Sequence, residues 1–132
     1  MSRLALYIID DDPQSVSLLT EYADHVDMDV HAFNSGEKFF QQVDPNTENG
    51  ILILDLYMPE MDGIEVLNEL VKKGPVLPII LITGNDTSSL RSASMLARAY
   101  SLDIIASIVK PIRLDYFKNI IEEYLQEQSI SQ

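Results

Sequence analysis

At 132 residues the chain is sized for one domain, and 21 acidic against 9 basic side chains leave a formal net charge of −12. That sign disfavours nucleic-acid phosphates and anionic membrane surfaces as partners and suits a divalent cation. Zero cysteines excludes a disulfide framework, a zinc–thiolate site and a thiol nucleophile, while 46% hydrophobic residues can offset the entropy of ordering a core.

Leu4 to Ile9 (LALYII) is an almost unbroken apolar run of strand length, ending in Asp10-Asp11-Asp12. It is too short to span a membrane, and no small-residue cleavage site follows it, so a soluble, cytoplasmic protein is expected. Asp12 before Pro13 reads as a helix cap, and Val16, Leu19, Tyr22, Ala23 and Val26 form one helical stripe. Met28 to Phe33 (MDVHAF) alternates apolar and polar, which places it at a sheet edge. Asn34 with Glu37 has N-cap and N3 spacing for a second helix, and Pro45 to Gly50 reads as a loop.

Ile51 to Leu54 (ILIL) is the third strand, with Asp55 at its end. Asp62 with Glu65 opens a helix that Lys72-Lys73-Gly74 closes, and Gly74-Pro75 begins the next loop. Ile79 to Ile82 (IILI) leads into Thr83-Gly84. Asp86 opens a helix through Tyr100, with Leu90, Ala93, Leu96, Ala97 and Tyr100 expected to face inward. Ile104 to Val109 (IIASIV) leads into Lys110-Pro111, and Leu114, Phe117, Ile121, Tyr124 and Leu125 stripe a last helix. The domain is expected over 1–125, with 126–132 a polar tail that frays or leads into further sequence. Runs apolar on both faces belong in a parallel sheet covered on both sides. Five β-α alternations therefore predict a doubly wound α/β fold with right-handed crossovers.

Ligands of such sheets bind outside the carboxyl ends of the strands. There the sequence delivers Asp10, Asp11, Asp12, Asp55, Thr83 and Lys110 to one rim. Clustered carboxylates repel unless a cation sits among them, and an oxygen-only donor set selects Mg²⁺. With Lys110 such a site can neutralise a phosphoryl group while a carboxylate attacks in line, and the Thr83 hydroxyl can bond a third phosphoryl oxygen. The bland reading of each residue is a solvated turn, a surface lysine or a loop hydroxyl. Only their convergence argues otherwise. His25 and His31 read as surface or edge groups, Met58, Met61 and Met95 as packing residues, and Glu122, Glu123 and Glu127 as a solvated face.

The segments IIDDDP (8–13), LDLYMPEMDG (54–63), LITG (81–84) and VKP (109–111) resemble the receiver domain of bacterial two-component response regulators, in order and along essentially the whole chain. The resemblance implies a flavodoxin-like, five-stranded sheet of order 2-1-3-4-5. It implies Asp55 as phosphoacceptor, phosphorylated by a histidine kinase or phosphotransfer protein. Mg²⁺ would be held by Asp11 directly, by Asp10 mainly through water, and by Asp55 and the carbonyl of Tyr57. Lys110, across a cis peptide to Pro111, would pair with the phosphoryl group, and Thr83 would move toward it. The output surface would be the 86–100, 104–109 and 113–125 region, with Leu90, Ile112, Leu114 or Tyr116 contacting a partner or a second copy. Two features depart from the family's pattern. Ser107 stands where receivers usually carry a switch aromatic, and the stretch from Thr83 to Lys110 is longer than usual. LRSASMLARAYSLDIIASIVKPI resembles receivers attached to EAL-type cyclic-di-GMP phosphodiesterases.

Competing functions meet specific obstacles. A dehalogenase-type phosphatase needs a second Asp two residues after the nucleophile, where Tyr57 stands. A nucleotide-binding module would want a glycine-rich phosphate loop, and neither GxGxxG nor GxxxxGK[ST] occurs. In a flavodoxin-like electron carrier, three carboxylates in the first loop would repel the flavin phosphate. A pseudo-receiver that only docks a partner stays open as the alternative.

Overall fold

A computed structural model of the chain describes residues 4–46, 49–58, 63–74, 77–84 and 87–130, with the side chains of 87–90, 97 and 129–130 outside that description. Strands and helices alternate: β1 (Ala5–Ile9), α1 (Pro13–Asp24), β2 (Asp29–Phe33), α2 (Gly36–Gln42), β3 (Gly50–Asp55), α3 (Gly63–Lys73), β4 (Ile79–Thr83), α4 (Thr87–Ala99), β5 (Ile104–Val109) and α5 (Leu114–Ile130). The five strands are all parallel, in the order β2-β1-β3-β4-β5.

The Ile- and Leu-rich runs become central strands because both of their faces are covered. Leu6, Ile8, Ile51, Ile53, Ile80 and Ile82 pack with Leu19 and Ala23 of α1 and Phe117 and Ile121 of α5. The alternate residues Tyr7, Ile9, Leu52, Leu54, Ile79 and Leu81 pack with Phe39 of α2, Val66, Leu67 and Leu70 of α3 and Ala93 of α4. The period-2 alternation of a strand divides one apolar run between two cores.

Local signals start and stop the helices. Asp12 caps α1, its carboxylate accepting from the Gln14 N–H at 3.0 Å and the Ser15 hydroxyl at 3.1 Å. Those bonds hold its carboxyl below the ordinary aspartate value. Lys72 and Lys73 occupy the last turn of α3, and Gly74 follows at φ +88°, a conformation that costs glycine little.

Several expectations need correction. The cap of α2 is Ser35, whose hydroxyl accepts from the Lys38 N–H, so the helix begins one residue later than the Asn34–Glu37 spacing implied. β5 is an edge strand, mostly half-buried, with Ile108 buried and Val109 exposed, so it is not covered like β3 and β4. Its register slips beside Ile105, because Ile79 pairs with Ile104 while Ile80 pairs with Ala106, and such a bulge suits an edge. Met95 and Tyr100 are exposed rather than packed, Met95 on the face of α4 opposite the buried Ala93 and Tyr100 just past the helix end, whereas Ile112 is buried and unavailable to a partner. α5 continues through Ile130 instead of fraying after Leu125. The text QEQSI contains no glycine or proline to stop it. The Asp62 cap, Met61, the Pro75 part of its loop and the Asp86 helix start lie outside the described residues, as do the side chains of Leu90 and Ala97.

Candidate functional site

Strand order reverses between β2-β1 and β3-β4-β5, so the crevice of the fold opens at the carboxyl ends of β1 and β3. Asp10 and Asp11 follow β1, Asp55 is the last residue of β3, Thr83 the last of β4, and Lys110 follows β5. Backbone bonds tie these ends together. The Leu56 N–H donates to the Ile82 carbonyl at 2.9 Å, and the Lys110 N–H to the Thr83 carbonyl at 2.8 Å. The Lys110–Pro111 peptide is cis, as the resemblance implied.

The fold brings the carboxylates together. One oxygen from each of Asp10, Asp11 and Asp55 lies within 4.8 Å of the others, Asp10 and Asp55 buried and Asp11 exposed. Lys110 Nζ donates to Asp55 Oδ2 at 3.4 Å and stands 3.6 Å from Asp10 Oδ2. Asp55 Oδ1 accepts from the Tyr57 N–H at 3.0 Å, and Asp10 Oδ1 from the Asp12 N–H at 2.9 Å. Thr83 is buried at the same rim. The Tyr57 side chain is 81% exposed, so only its backbone belongs to the cup. His25 and His31 are exposed, and His31 stacks on Tyr7 at 5.4 Å.

Electrostatics follow from burial. Desolvation pushes the Asp10 carboxyl up to about 7; the neighbouring Asp55 adds to this, against the Asp12 N–H and the Lys110 charge. Burial works against the Lys110 ammonium, but Asp55 and Asp10 outweigh it and raise its pKa above the ordinary lysine value. Asp10 Oδ2 is buried without a hydrogen bond, the Lys110 ammonium at 3.6 Å standing beside it but beyond hydrogen-bond reach, an arrangement that costs free energy unless a closer cation or water meets it. With oxygen-only donors, one of them orphaned, the residues present fit a hard divalent cation.

Two features are not announced by local composition or periodicity. Gly63 lies so close to the chain behind the cup that an added Cβ would come within 2.5 Å of Leu56 Cα and 2.9 Å of the Asp55 carbonyl oxygen. Beside Asp10 and Asp11 a cleft of about 540 Å³ opens toward Ser17, Asn34 and Lys38. Its lining is scattered over α1, β2 and α2 and meets only on folding.

An open parallel sheet of order 2-1-3-4-5, with this acidic cup and its lysine at the carboxyl rim, defines an α/β domain of the flavodoxin-like, CheY-like class. Comparison with known proteins agrees. The response regulator receiver domain model matches residues 6–122. Response regulator protein TodT of Pseudomonas putida is 32% identical over 108 residues, 82% of this chain and 45% of TodT. The protein-glutamate methylesterase/protein-glutamine glutaminase of Nitrosomonas europaea is 29% identical over 128 residues, 96% of this chain and 34% of that protein. The chain thus spans less than half the length of these curated relatives. Among solved structures, a response regulator from Colwellia psychrerythraea superposes with TM-score 0.77 at 33% identity, covering 99% of this chain and 100% of that one. A receiver domain protein from Methanospirillum hungatei matches in fold, with TM-score 0.79 at 22% identity over 99% of this chain and 100% of that one. The chain belongs to the response regulator receiver domain family, and so to two-component systems. No described helix is long and apolar enough to cross a membrane.

Proposed function

We propose that the chain is a phosphoacceptor switch of the cytoplasm that takes a phosphoryl group on Asp55 from a histidine kinase or phosphotransfer protein. The observation that carries this reading is one ammonium, Lys110, within 3.6 Å of both Asp55 and Asp10 in a cluster of three carboxylates. Asp10, Asp11, Asp55 and the Tyr57 carbonyl are the groups that would hold Mg²⁺, Asp10 mainly through water. When bound, the ion supplies charge neutralisation for the carboxylates and the phosphoryl oxygens.

In the transfer itself, an Asp55 oxygen forms a bond to phosphorus as the phosphorus–nitrogen bond of the donor histidine breaks. The bonding pair returns to the imidazole, which takes up a proton. The Tyr57 N–H holds Asp55 Oδ1 in place, leaving Oδ2 on the lysine side as the oxygen whose charge is shared. Lys110 Nζ neutralises the phosphoryl oxygens, and the Thr83 hydroxyl, already at the rim, turns to bond one of them.

The result is a change of population between two conformations that differ in contact with the phosphoryl group. The partner that reads this change is an output domain or protein, or a second copy of the chain. The α4 text LRSASMLA supports an EAL-type cyclic-di-GMP phosphodiesterase as that output, and a rise in cyclic-di-GMP hydrolysis on phosphorylation is the corresponding assay. The direct test is incubation with acetyl phosphate and Mg²⁺. Intact mass should rise by one HPO₃ in the wild type and stay constant in Asp55→Asn. An unmodified wild type that still binds its partner would turn the reading to the docking-only alternative.

A further inference from the structure

The turn from β5 into α5 carries Lys110, and the sheet holds it from one side only. β5 is an edge strand whose single neighbour is β4. At its end Val109 pairs with Thr83, and the Lys110 N–H donates to the Thr83 carbonyl at 2.8 Å. Pro111 follows, exposed and without an N–H to donate.

A second hold comes from the face of the sheet. The Tyr22 hydroxyl donates to the Ile112 carbonyl at 3.0 Å, across 90 residues of sequence. Tyr22 sits half-buried in the last turn of α1, and its ring meets Phe117 of α5 edge-on at 6.0 Å. Ring packing therefore aims the hydroxyl, while the Ile112 side chain is buried in the core that α1 and α5 share. Burial anchors the residue, and the directional bond fixes how its peptide is turned.

α1 is thus tied to both sides of the acidic cup. Before its first turn the Asp12 N–H donates to Asp10 Oδ1 at 2.9 Å, and the Val16 N–H closes that turn on the Asp12 carbonyl at 3.1 Å. In its last turn Tyr22 holds the segment two residues past Lys110. The Asp10 carboxylate and the Lys110 ammonium, 3.6 Å apart, are joined through one helix.

We propose that Tyr22 is a positioning residue for Lys110: its hydroxyl holds the Ile112 carbonyl and so keeps the ammonium between Asp55 and Asp10. This deepens the phosphoacceptor reading and rests on it for the reaction that the ammonium serves. The tether itself is present whether or not Asp55 is modified.

The test follows adduct formation with acetyl phosphate and Mg²⁺ by intact mass in the wild type, Tyr22→Phe, Lys110→Ala and the double variant. Tyr22→Phe keeps the ring against Phe117 and removes only the hydroxyl. Its rate should fall about three- to tenfold, the scale of one net hydrogen bond. In the Lys110→Ala background the same substitution should change the rate by less than about twofold, because a residue that acts through the ammonium then has nothing to act on. Thr20→Ala removes an exposed hydroxyl bonded to the Val16 carbonyl of its own helix and should match the wild type. Amide exchange gives a reading independent of the slow variants. In Tyr22→Phe the N–H groups of Lys110, Ile112 and Arg113 should lose protection by a larger factor than those of β1 and β3. An unchanged Tyr22→Phe rate, an equal loss in both backgrounds, or a uniform loss of protection across the domain would overturn the positioning role. No adduct on the wild type would instead refute the phosphoacceptor reading, and exchange would still decide whether the hydroxyl holds the turn.

Discussion

Lys110 divides one positive charge between two carboxylates, 3.4 Å from Asp55 Oδ2 and 3.6 Å from Asp10 Oδ2. On the proposed reading, a phosphoryl group arriving on Asp55 would enter a field already arranged to receive it. Lys110→Ala should therefore slow adduct formation by about 10²–10³-fold, the usual cost of removing a preorganised stabilising group. Time courses of adduct mass measure this, and an unchanged rate would detach the amine from the reacting group. Asp10 supplies a pH test. Its carboxyl sits at about 7 in the folded protein against an ordinary value of 3.8, so between those values the unfolded chain releases the proton and the folded one keeps it. Stability of the metal-free protein then falls as pH rises through that window. Asp10→Asn should remove the slope, leaving the variant more stable than the wild type at neutral pH in EDTA. Urea midpoints at acidic and neutral pH check this, and parallel curves for the two proteins would contradict it. Saturating Mg²⁺ should recover the loss in the wild type, since binding to the folded state stabilises it.

Among the elements, α3 begins where Gly63 packs on the backbone of Leu56. Gly63→Ala forces that contact apart, at a cost of about 1–3 kcal/mol for overpacking. The displaced Leu56–Tyr57 segment should also weaken Mg²⁺ binding. Thermal melts and Mg²⁺ titrations report the two effects separately, and a variant matching the wild type in both would refute the close-packing argument. In the core, Phe117 is fully enclosed between α5 and the sheet and meets Tyr22 edge-on at 6.0 Å. Phe117→Ala should cost about 3–5 kcal/mol in denaturant unfolding, and a cost below about 1 kcal/mol would mean that α5 is not docked.

The same elements show what a linear text can carry. Ile51–Leu54 and Ile79–Ile82 announce buried strands because side-chain period and burial on both faces leave one composition. Asp10, Asp55, Thr83 and Lys110 are legible for a related reason, as a polar residue at the end of an apolar strand has one rim to reach. Ile104–Val109 reads like its neighbours, yet its position at the sheet edge depends on strand order, which local composition does not encode. Met95 and Tyr100 are exposed for a more local reason, the first by helix phase and the second by the end of α4 at Ala99. The Ser35 cap lies one residue from the expected Asn34 because both side chains can accept from a helix N-terminus. Nothing in the spacing of Gly63 distinguishes a glycine needed for close approach from one that ends a turn.

At the scale of the molecule, the net charge of −12 acts on whatever approaches the rim. Mg²⁺ is attracted and concentrated, and its apparent affinity should fall as salt shortens the screening length from about 30 Å at 0.01 M to about 3 Å at 1 M. Titrations across that range test this, and salt-independent affinity would confine the effect to the ligands alone. Switching has its own scale, because moving a population from one conformation almost wholly to another takes about 5.5 kcal/mol of differential contact. Several new bonds to one phosphoryl group, which the proposed switch would draw from Thr83, Lys110 and a cation, would be of the right order, since charge-assisted hydrogen bonds contribute about 1.5–3 kcal/mol each.

All of this depends on β1, β3, β4 and β5 delivering their terminal residues to a single receptacle that binds a divalent ion and exchanges phosphate through residue 55. Peptide mapping after acetyl phosphate treatment tests it most directly. One modified peptide containing Asp55 is expected, formed with Mg²⁺ and absent in EDTA. Label on another residue, or label that forms equally well without the metal, would contradict it.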